Sequence, residues 1–435
     1  MAVKFLWPKV GSVRGRGFWA DPRNLIAARK KFRRDNTVEW RRRYEAEYPT
    51  APARSVPFEG LTNRDAGAGF SFVILGDTGE GDRSQYGLLP LIRALAPDFL
   101  IINGDVAYPA GREQDFIEGF FAPYQNLQMP VWATPGNHEY YSEQNGREFF
   151  DLFCTSKHQK LWQDYGLRLV PQPGTYWELA SPDCPLIVLG LDSGMTAALD
   201  PTPNSDGDAG QLAWLEWRLK LAQAAGRRAL VLFHIPALVN QERDEKAHLD
   251  RLHSLLIRFA PVVAAVITAH EHSFQYYTPE TFASFVTGGA VPAPHYFVSG
   301  GGGAFLSPID FDNTKGKFCA ELVYPNRDDW QNYVRLGSRT VGMRPRLARS
   351  VLARVVRSFE GARHDEDLAN YLSLLRVTVS RANGGWEAKL VVYAQPSLEA
   401  LYAGVDDVTV SVRDGQPAPP PANVAACERL SIDLV

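Results

Sequence analysis

Cysteine is scarce in this chain of 435 residues: Cys154, Cys184, Cys319 and Cys427 lie far apart, with no paired spacing. That pattern gives neither a disulfide framework nor a cysteine zinc site. Uncharged apolar runs of about 18 residues or more are missing too, so no membrane span is expected. The opening stretch "MAVKFLWPKVGSVRGRG" has no long apolar core and no small-residue cleavage site. A cytoplasmic protein is therefore the default expectation, or a secreted one if the chain is a trimmed mature form. Neither sign of charge dominates: 46 Lys and Arg against 49 Asp and Glu leave a net −3, which argues against a dedicated nucleic-acid surface. There is no internal repeat and no long low-complexity segment. "GDTGEGDRSQYG" (76–87) lacks the Gly-Lys-Ser/Thr of a phosphate-binding P-loop.

What is present is ordinary globular material, 45% hydrophobic and 22% charged, long enough for one large domain with extensions or for two domains. Residues 1–66 read as an arm with one helical stretch around 23–46. Its basic runs "ARKKFRR" (28–34) and "WRRRYEAEY" (40–48) read as a solvated helical face whose aromatics dock on the body, or as a patch for an anionic partner. The body then alternates. Strands are expected at 70–76, 98–104, 130–136, 175–180, 185–192, 228–234, 262–270 and 295–303, with helices at 86–96, 112–124, 209–226 and around 246–260. This rhythm gives an α/β fold, a mixed sheet with its ligands at the carboxyl ends of strands. The closer spacing of the later strands favours a second sheet stacked on the first. "LRVTVSRANGGWEAKLVVYA" (375–394) reads as a hairpin added to the sheet, and "GQPAPPPAN" (415–423) as a short linker or turn.

Five polar clusters each end a strand: "GDTG" (Asp77), "GDVAY" (Asp105, Tyr108), "PGNHE" (Asn137, His138), "LFHIP" (His234) and "TAHEH" (His270, His272). A lone Asp after a strand is usually a turn or cap residue, and a lone strand-end His is usually structural. In "HEH", however, residues i and i+2 of an extended segment face the same side, so two imidazoles can reach adjacent metals. Bringing so many polar groups to one edge needs compensating charge. A bridging carboxylate, an amide oxygen and imidazoles suit two cations about 3.5–4 Å apart.

In their order, GD-x-G, GD-x-x-Y, GNH-E, x-x-x-H and x-H-x-H, these motifs resemble the calcineurin-like metallophosphoesterase superfamily, and specifically its purple acid phosphatase branch. The resemblance covers roughly residues 70–305 and implies a sandwich of two stacked mixed β-sheets flanked by helices. On that basis the chain divides into the arm (1–66), a metallophosphoesterase domain (67–310) and a C-terminal extension (311–435) completing or covering the sandwich. Most of the superfamily has D-x-H in the first motif and GD-x-x-D/N in the second. Here Gly79 replaces that histidine and Tyr108 fills the last position, a coupled pair of departures in the purple acid phosphatase branch.

Carried over position by position, the resemblance implies one metal held by Asp77, Asp105, Tyr108 and His272. It implies a second held by Asp105, Asn137, His234 and His270, with Asp105 as bridge. A phenolate is hard and anionic, and a trivalent ion can hold it deprotonated far below its free pKa of about 10. The Tyr108 site is thus expected to hold ferric iron and the other divalent Fe, Zn or Mn. A manganese or zinc pair with Tyr108 merely packed nearby is the alternative. His138 and Asn137 would face the substrate phosphate, His138 assisting the leaving group. Glu139 is either a partner orienting His138 or a surface carboxylate.

The implied activity is hydrolysis of a phosphomonoester or phosphodiester by a metal-activated hydroxide, on a small-molecule or nucleotide-like substrate. A catalytically silent interaction module of the same fold stays open as the other class. His248, His253 and His295 are further substrate-contact candidates by position only. "SGGGGAF" (299–305) is either a backbone cradle for phosphate or a tight loop allowing the metal loops to approach, and "GLDS" (190–193) a support around the site.

Overall fold

Strand Phe70–Leu75 shows how the sequence builds the layers. Its side chains alternate, Phe70, Phe72 and Ile74 to one face and Val73 and Leu75 to the other, and every residue is buried. Apolar residues on both faces of one strand need a covering layer on each side. The computed structural model describes residues 2–5, 23, 54–62, 69–81, 85–86, 88–194, 209–236, 243–304, 322–324, 372–382, 385–394, 408–411 and 425–433. The basic runs, the expected helix beyond Arg23 and the proline-rich 415–423 lie outside them.

In chain order the strands are β1 (Ala2–Phe5), β2 (Ser55–Val56), β3 (Phe70–Leu75), β4 (Phe99–Asn103), β5 (Val131–Thr134) and β6 (Trp177–Ala180). There follow β7 (Leu186–Gly190), β8 (Arg228–Leu232), β9 (Val263–Thr268), β10 (Phe274–Tyr277) and β11 (His295–Ser299). The last are β12 (Leu322–Tyr324), β13 (Ser373–Ala382), β14 (Gly385–Ala394), β15 (Val408–Ser411) and β16 (Ala425–Asp433).

Two mixed sheets result. The six-stranded sheet runs β16-β14-β13-β3-β4-β5, with β3, β4 and β5 parallel and β13 antiparallel to both β3 and β14. The eight-stranded sheet runs β12-β10-β11-β9-β8-β7-β6-β2, with β7, β8, β9 and β11 parallel. β1 and β15 form a separate two-stranded pair. The expected α/β sandwich of two mixed sheets is therefore observed, and the hairpin joins the first sheet beside β3.

The inner faces meet in one core of Phe72, Ile74, Phe99, Ile101 and Trp132 against Trp177, Val188, Leu230, Leu232 and Ile267. Phe72 and Phe99 stack at 4.9 Å between centroids, and Phe58 and Phe70 extend the row at 4.5 Å. The outer face of the first sheet is covered by helices that supply Leu89, Leu91, Phe116, Phe120, Phe149 and Phe153. The outer face of the second packs on Ala209–Ala224, Arg243–Arg258 and Pro279–Thr287. Residues 113–124 form the expected helix with a π-helical middle, Ile117–Phe121.

β10 and the helices Arg147–Phe153, Gln159–Asp164 and Pro279–Thr287 were not expected. Each is short, so the periodic signal in the sequence is weak. Among the described residues, no helix is long and apolar enough to cross a membrane.

Phe99 is fully buried and central to the aromatic row. Phe99→Ala is expected to lower the unfolding free energy by about 3–5 kcal/mol, read from urea denaturation. A loss under about 1 kcal/mol would mean the row does not hold the two sheets together.

Candidate metal centre

The parallel strands end together, and their carboxyl ends supply the site. β3 leads into Asp77, β4 into Asp105 and Tyr108, β5 into Asn137 and His138, β8 into His234, and β9 into His270 and His272. Asp77, Asp105 and His270 have φ of 57°, 50° and 70°. Left-handed backbone at non-glycine residues costs on the order of 1 kcal/mol or more and persists only where the surroundings enforce it. Here the neighbouring loops do so. Asp77 N donates to Gly104 O (3.1 Å), Thr78 N to Asp105 O (3.1 Å), Ala269 N to His234 O (2.9 Å) and Ala304 N to Asp77 O (2.8 Å).

The side chains converge in two groups that share Asp105. Asp77, Asp105 and His272 offer ligand atoms all within 4.8 Å of one another, and so do Asp105, His234 and His270. The Tyr108 hydroxyl joins the first group, 3.1 Å from Asp77 Oδ1, 3.0 Å from Asp105 Oδ2 and 3.0 Å from His272 Nε2. Asn137 joins the second, its Oδ1 lying 3.2 Å from His234 Nε2 and 2.9 Å from His270 Nδ1. His138 stands over both. Its backbone amide donates to Asp105 Oδ1 (3.0 Å), its Nδ1 meets Pro109 O at 2.7 Å, and its Nε2 lies 3.9 Å from Asp105 Oδ2. Every residue singled out in the five motifs is thus brought to one place.

Charge is unevenly distributed there. Burial alone would raise the Asp105 carboxyl, but the imidazoles of His234, His138 and His270 hold it well below the usual carboxylate range. Burial would lower His234, but Asp105 and Asp77 push it up to about 10. His270 is pushed down to about 4 by burial and by the neighbouring His234. Burial and then the Asp105 and Asp77 carboxylates drive the Tyr108 phenol well above its ordinary value. One phenolic proton cannot serve two carboxylates at once, so acceptors outnumber donors around Tyr108. That donor set, buried and rich in anionic oxygen and imidazole nitrogen, fits cations.

The supports lie one step out. Asn103 Nδ2 donates to Phe233 O (3.1 Å) and Ile267 O (3.0 Å), its Oδ1 accepts from Thr134 Oγ1 (2.9 Å), and its carbonyl meets His234 Nδ1 (3.0 Å). This buried amide ties the two sheets together at the site and turns His234 Nε2 towards it. Sequence reasoning passed over it; the only signal was an amide closing the apolar run "DFLII".

Glu139 is neither a surface carboxylate nor a partner of the His138 ring. It is fully buried, and its carboxylate accepts the backbone N–H groups of Asp105 (3.0 Å), Ala107 (3.0 Å) and Gly136 (2.7 Å). The imidazole of His138 is held by Pro109 instead. In the "GLDS" stretch, Ser193 Oγ accepts the amide of Ile235, and Asp192 Oδ2 accepts the Tyr140 hydroxyl at 2.6 Å.

Two glycines show why the loops lie so close. A Cβ at Gly79 would collide with the backbone of Val106 and Ala107, whose loop carries Tyr108. A Cβ at Gly300 would collide with Glu271 O and press on Asp77 Oδ2. In "SGGGGAF" the amides of Gly300, Gly302 and Ala304 bond to Ser273 O, Gly76 O and Asp77 O. Two of them hold the Asp77 loop and one the turn after β9, so the segment is the tight loop rather than the phosphate cradle.

Two of the histidines proposed by position, His253 and His295, do not join the site. His253 is 2% exposed, packed against Phe233, Phe282 and Tyr296. His295 begins β11, whose opposite end, Ser299, reaches the site through Gly76. The side chain of His248 lies outside the described residues.

A two-sheet α/β sandwich with paired carboxylate and histidine groups at its strand ends fits a metal-dependent phosphoester hydrolase. Residues 70–274, a little under half of the chain, match the family described as calcineurin-like phosphoesterase. No curated protein matches the chain. Among solved structures it is similar to a dimetal phosphatase from Danio rerio, at 13% identity over 79% of this chain and 98% of that one, with a TM-score of 0.39. It is also similar to TT1561 of Thermus thermophilus, at 17% identity over 54% and 90%, with a TM-score of 0.31. A putative 5'-nucleotidase from Staphylococcus aureus aligns at 12% identity over 54% and 49%, with a TM-score of 0.30.

Glu139→Gln leaves one of three buried amides facing an NH2 group, which costs about 1–3 kcal/mol. We expect a lower melting temperature together with a lower metal content, both measured on the purified protein. His253 gives a pH dependence. Burial lowers it to about 4, and its Nδ1 bonds to Leu249 O at 2.7 Å. An unfolded chain would titrate this histidine near about 6.5. The folded state binds fewer protons between those values, so the contribution is fully present above about 6.5 and is lost as pH falls towards 4, up to about 3 kcal/mol. Denaturant titrations of His253→Phe should show a shallower loss of stability across that window than the native chain.

Proposed function

We propose that this chain hydrolyses phosphomonoesters or phosphodiesters with two cations held at the strand ends. One observation carries the reading: two separate clusters of ligating atoms share a single carboxylate, Asp105. In this assignment Asp77, Asp105, Tyr108 and His272 hold the first cation. Asp105, Asn137, His234 and His270 hold the second. When bound, the cations would supply positive charge for the phosphoryl oxygens and a nucleophilic water at neutral pH.

The chain's own residues do the rest. Asn103 and Ser193 fix the loop of His234, and Glu139 fixes the loops of Asp105 and Asn137. His138, with its Nδ1 engaged by Pro109, presents Nε2 to the leaving oxygen and holds the proton delivered there. Asn137 and His138 border the substrate phosphate.

The first cation is proposed to be ferric iron, as in the purple acid phosphatase-like branch. The Tyr108 phenol, held well above its ordinary pKa, needs a strongly charged ion to stay deprotonated. The backbone of Val106 and Ala107 fills the room a histidine at position 79 would need, which supports the coupled exchange of Gly79 and Tyr108. The second cation is proposed to be divalent Fe, Zn or Mn. The substrate is proposed to be a small-molecule or nucleotide-like phosphoester. The unit is proposed to span 67–310, preceded by the arm at 1–66 and completed by 311–435.

The test combines metal quantification, a visible spectrum and hydrolysis of nitrophenyl and bis-nitrophenyl phosphate. Two cations, a tyrosinate-to-ferric charge-transfer band and turnover are expected. Asp105→Ala should lose both cations and activity. His138→Ala should keep both and lose about 10²–10⁴ in rate. Two cations without the band would give the manganese or zinc pair, and full metal without turnover on either ester an interaction module. A metal-free Asp105→Ala variant that still hydrolyses would sink the account.

A further inference from the structure

Tyr141 lies two residues beyond the "GNHE" motif and was not part of the site read from the sequence. It caps the 3-10 turn His138–Tyr140 that follows β5, and its side chain is half-buried. The Asn137 side-chain Nδ2 donates to its hydroxyl oxygen at 2.7 Å. An amide has one acceptor end and one donor end, and which end faces a site is set by what the other end bonds. With Nδ2 held by Tyr141, Oδ1 is the atom turned inward, 2.9 Å from His270 Nδ1 and 3.2 Å from His234 Nε2. The same ring lies 4.8 Å from the His138 imidazole at 60°. His138 also meets Tyr108 at 4.3 Å and 56°. His138 therefore contacts two phenol rings, one from the GDVAY loop and one from Tyr141.

We propose that Tyr141 is a positioning residue acting on both halves of the site through different parts of one side chain. Its hydroxyl sets the amide of Asn137 so that oxygen, not nitrogen, faces the second cation. Its ring forms the outer wall that keeps Nε2 of His138 aimed at the leaving oxygen. The inference rests on the two-cation reading above, and it separates two contributions that a single deletion would merge. Tyr141→Phe removes the hydroxyl and keeps the wall, whereas Tyr141→Leu removes both. Because the residue is half-buried at a turn, neither variant opens a cavity in the core.

The test titrates metal-stripped protein with Zn²⁺ by calorimetry, using His234→Ala to mark the isotherm that belongs to the second site. Removing a partner that orients a metal ligand typically weakens affinity about 10–100-fold. For Tyr141→Phe we expect the second dissociation constant to rise by about tenfold or more, with the first unmoved. Tyr141→Leu should show the same loss, and at saturating cation its kcat should fall further below that of Tyr141→Phe while KM stays close. Unchanged affinity at both sites in Tyr141→Phe would overturn the proposal. So would equal weakening at both sites accompanied by a lower melting temperature, since that is general loosening. If the native chain itself binds fewer than two Zn²⁺, the two-cation reading fails first, and the role of Tyr141 falls with it.

Discussion

A carboxylate with almost no water around it organises this molecule. Asp105 is 1% exposed, accepts the amide of His138, and stands within 3.3 Å of His234 Nε2 and 3.0 Å of the Tyr108 hydroxyl. Such a charge is stable in the interior only if several donors or cations answer it. The surrounding features serve that need: raised His234, lowered Asp105, and left-handed backbone at Asp77, Asp105 and His270 that turns loops inward. The two sheets matter because they deliver those loops to one edge. β3, β4 and β5 bring the carboxylates, phenol and amide, and β8 and β9 bring the imidazoles.

The sandwich therefore brings two sets of candidate ligands together. Asn103 makes the link, since its amide bonds to carbonyls beside His234 and near His270 while its chain belongs to β4. Glu139 makes a second link, joining the turn after β5 to the loop after β4 through three backbone amides. Networks of this kind are favourable when every member is satisfied and costly when one is removed. They hold the loops of the candidate ligands against one another.

Much of this was legible in the chain. The motifs at Asp77, Asp105, Tyr108, Asn137, His138, His234, His270 and His272 were readable because polar residues closing apolar strands break the pattern abruptly. The long strands and helices were readable for the same periodic reason. Asn103 was hidden because an amide at the end of a buried strand looks like a turn residue. Glu139 was misassigned because its neighbour in sequence, His138, is not its partner in space. His253 and His295 looked like candidates only while their distance from the strand ends was unknown.

The sequence by itself determined the class of layers and the list of polar groups at the strand ends, since these depend on residue type, order and period. The tertiary structure decided which groups share an ion-sized space, which carboxylate serves both clusters, and what holds each ligand in its orientation. The "SGGGGAF" segment illustrates the division: its composition allowed a phosphate cradle, but the amides of Gly300, Gly302 and Ala304 are bonded to Ser273, Gly76 and Asp77. Hydrogen-bond partners and burial arise between segments far apart in the chain, where no local period or spacing records them.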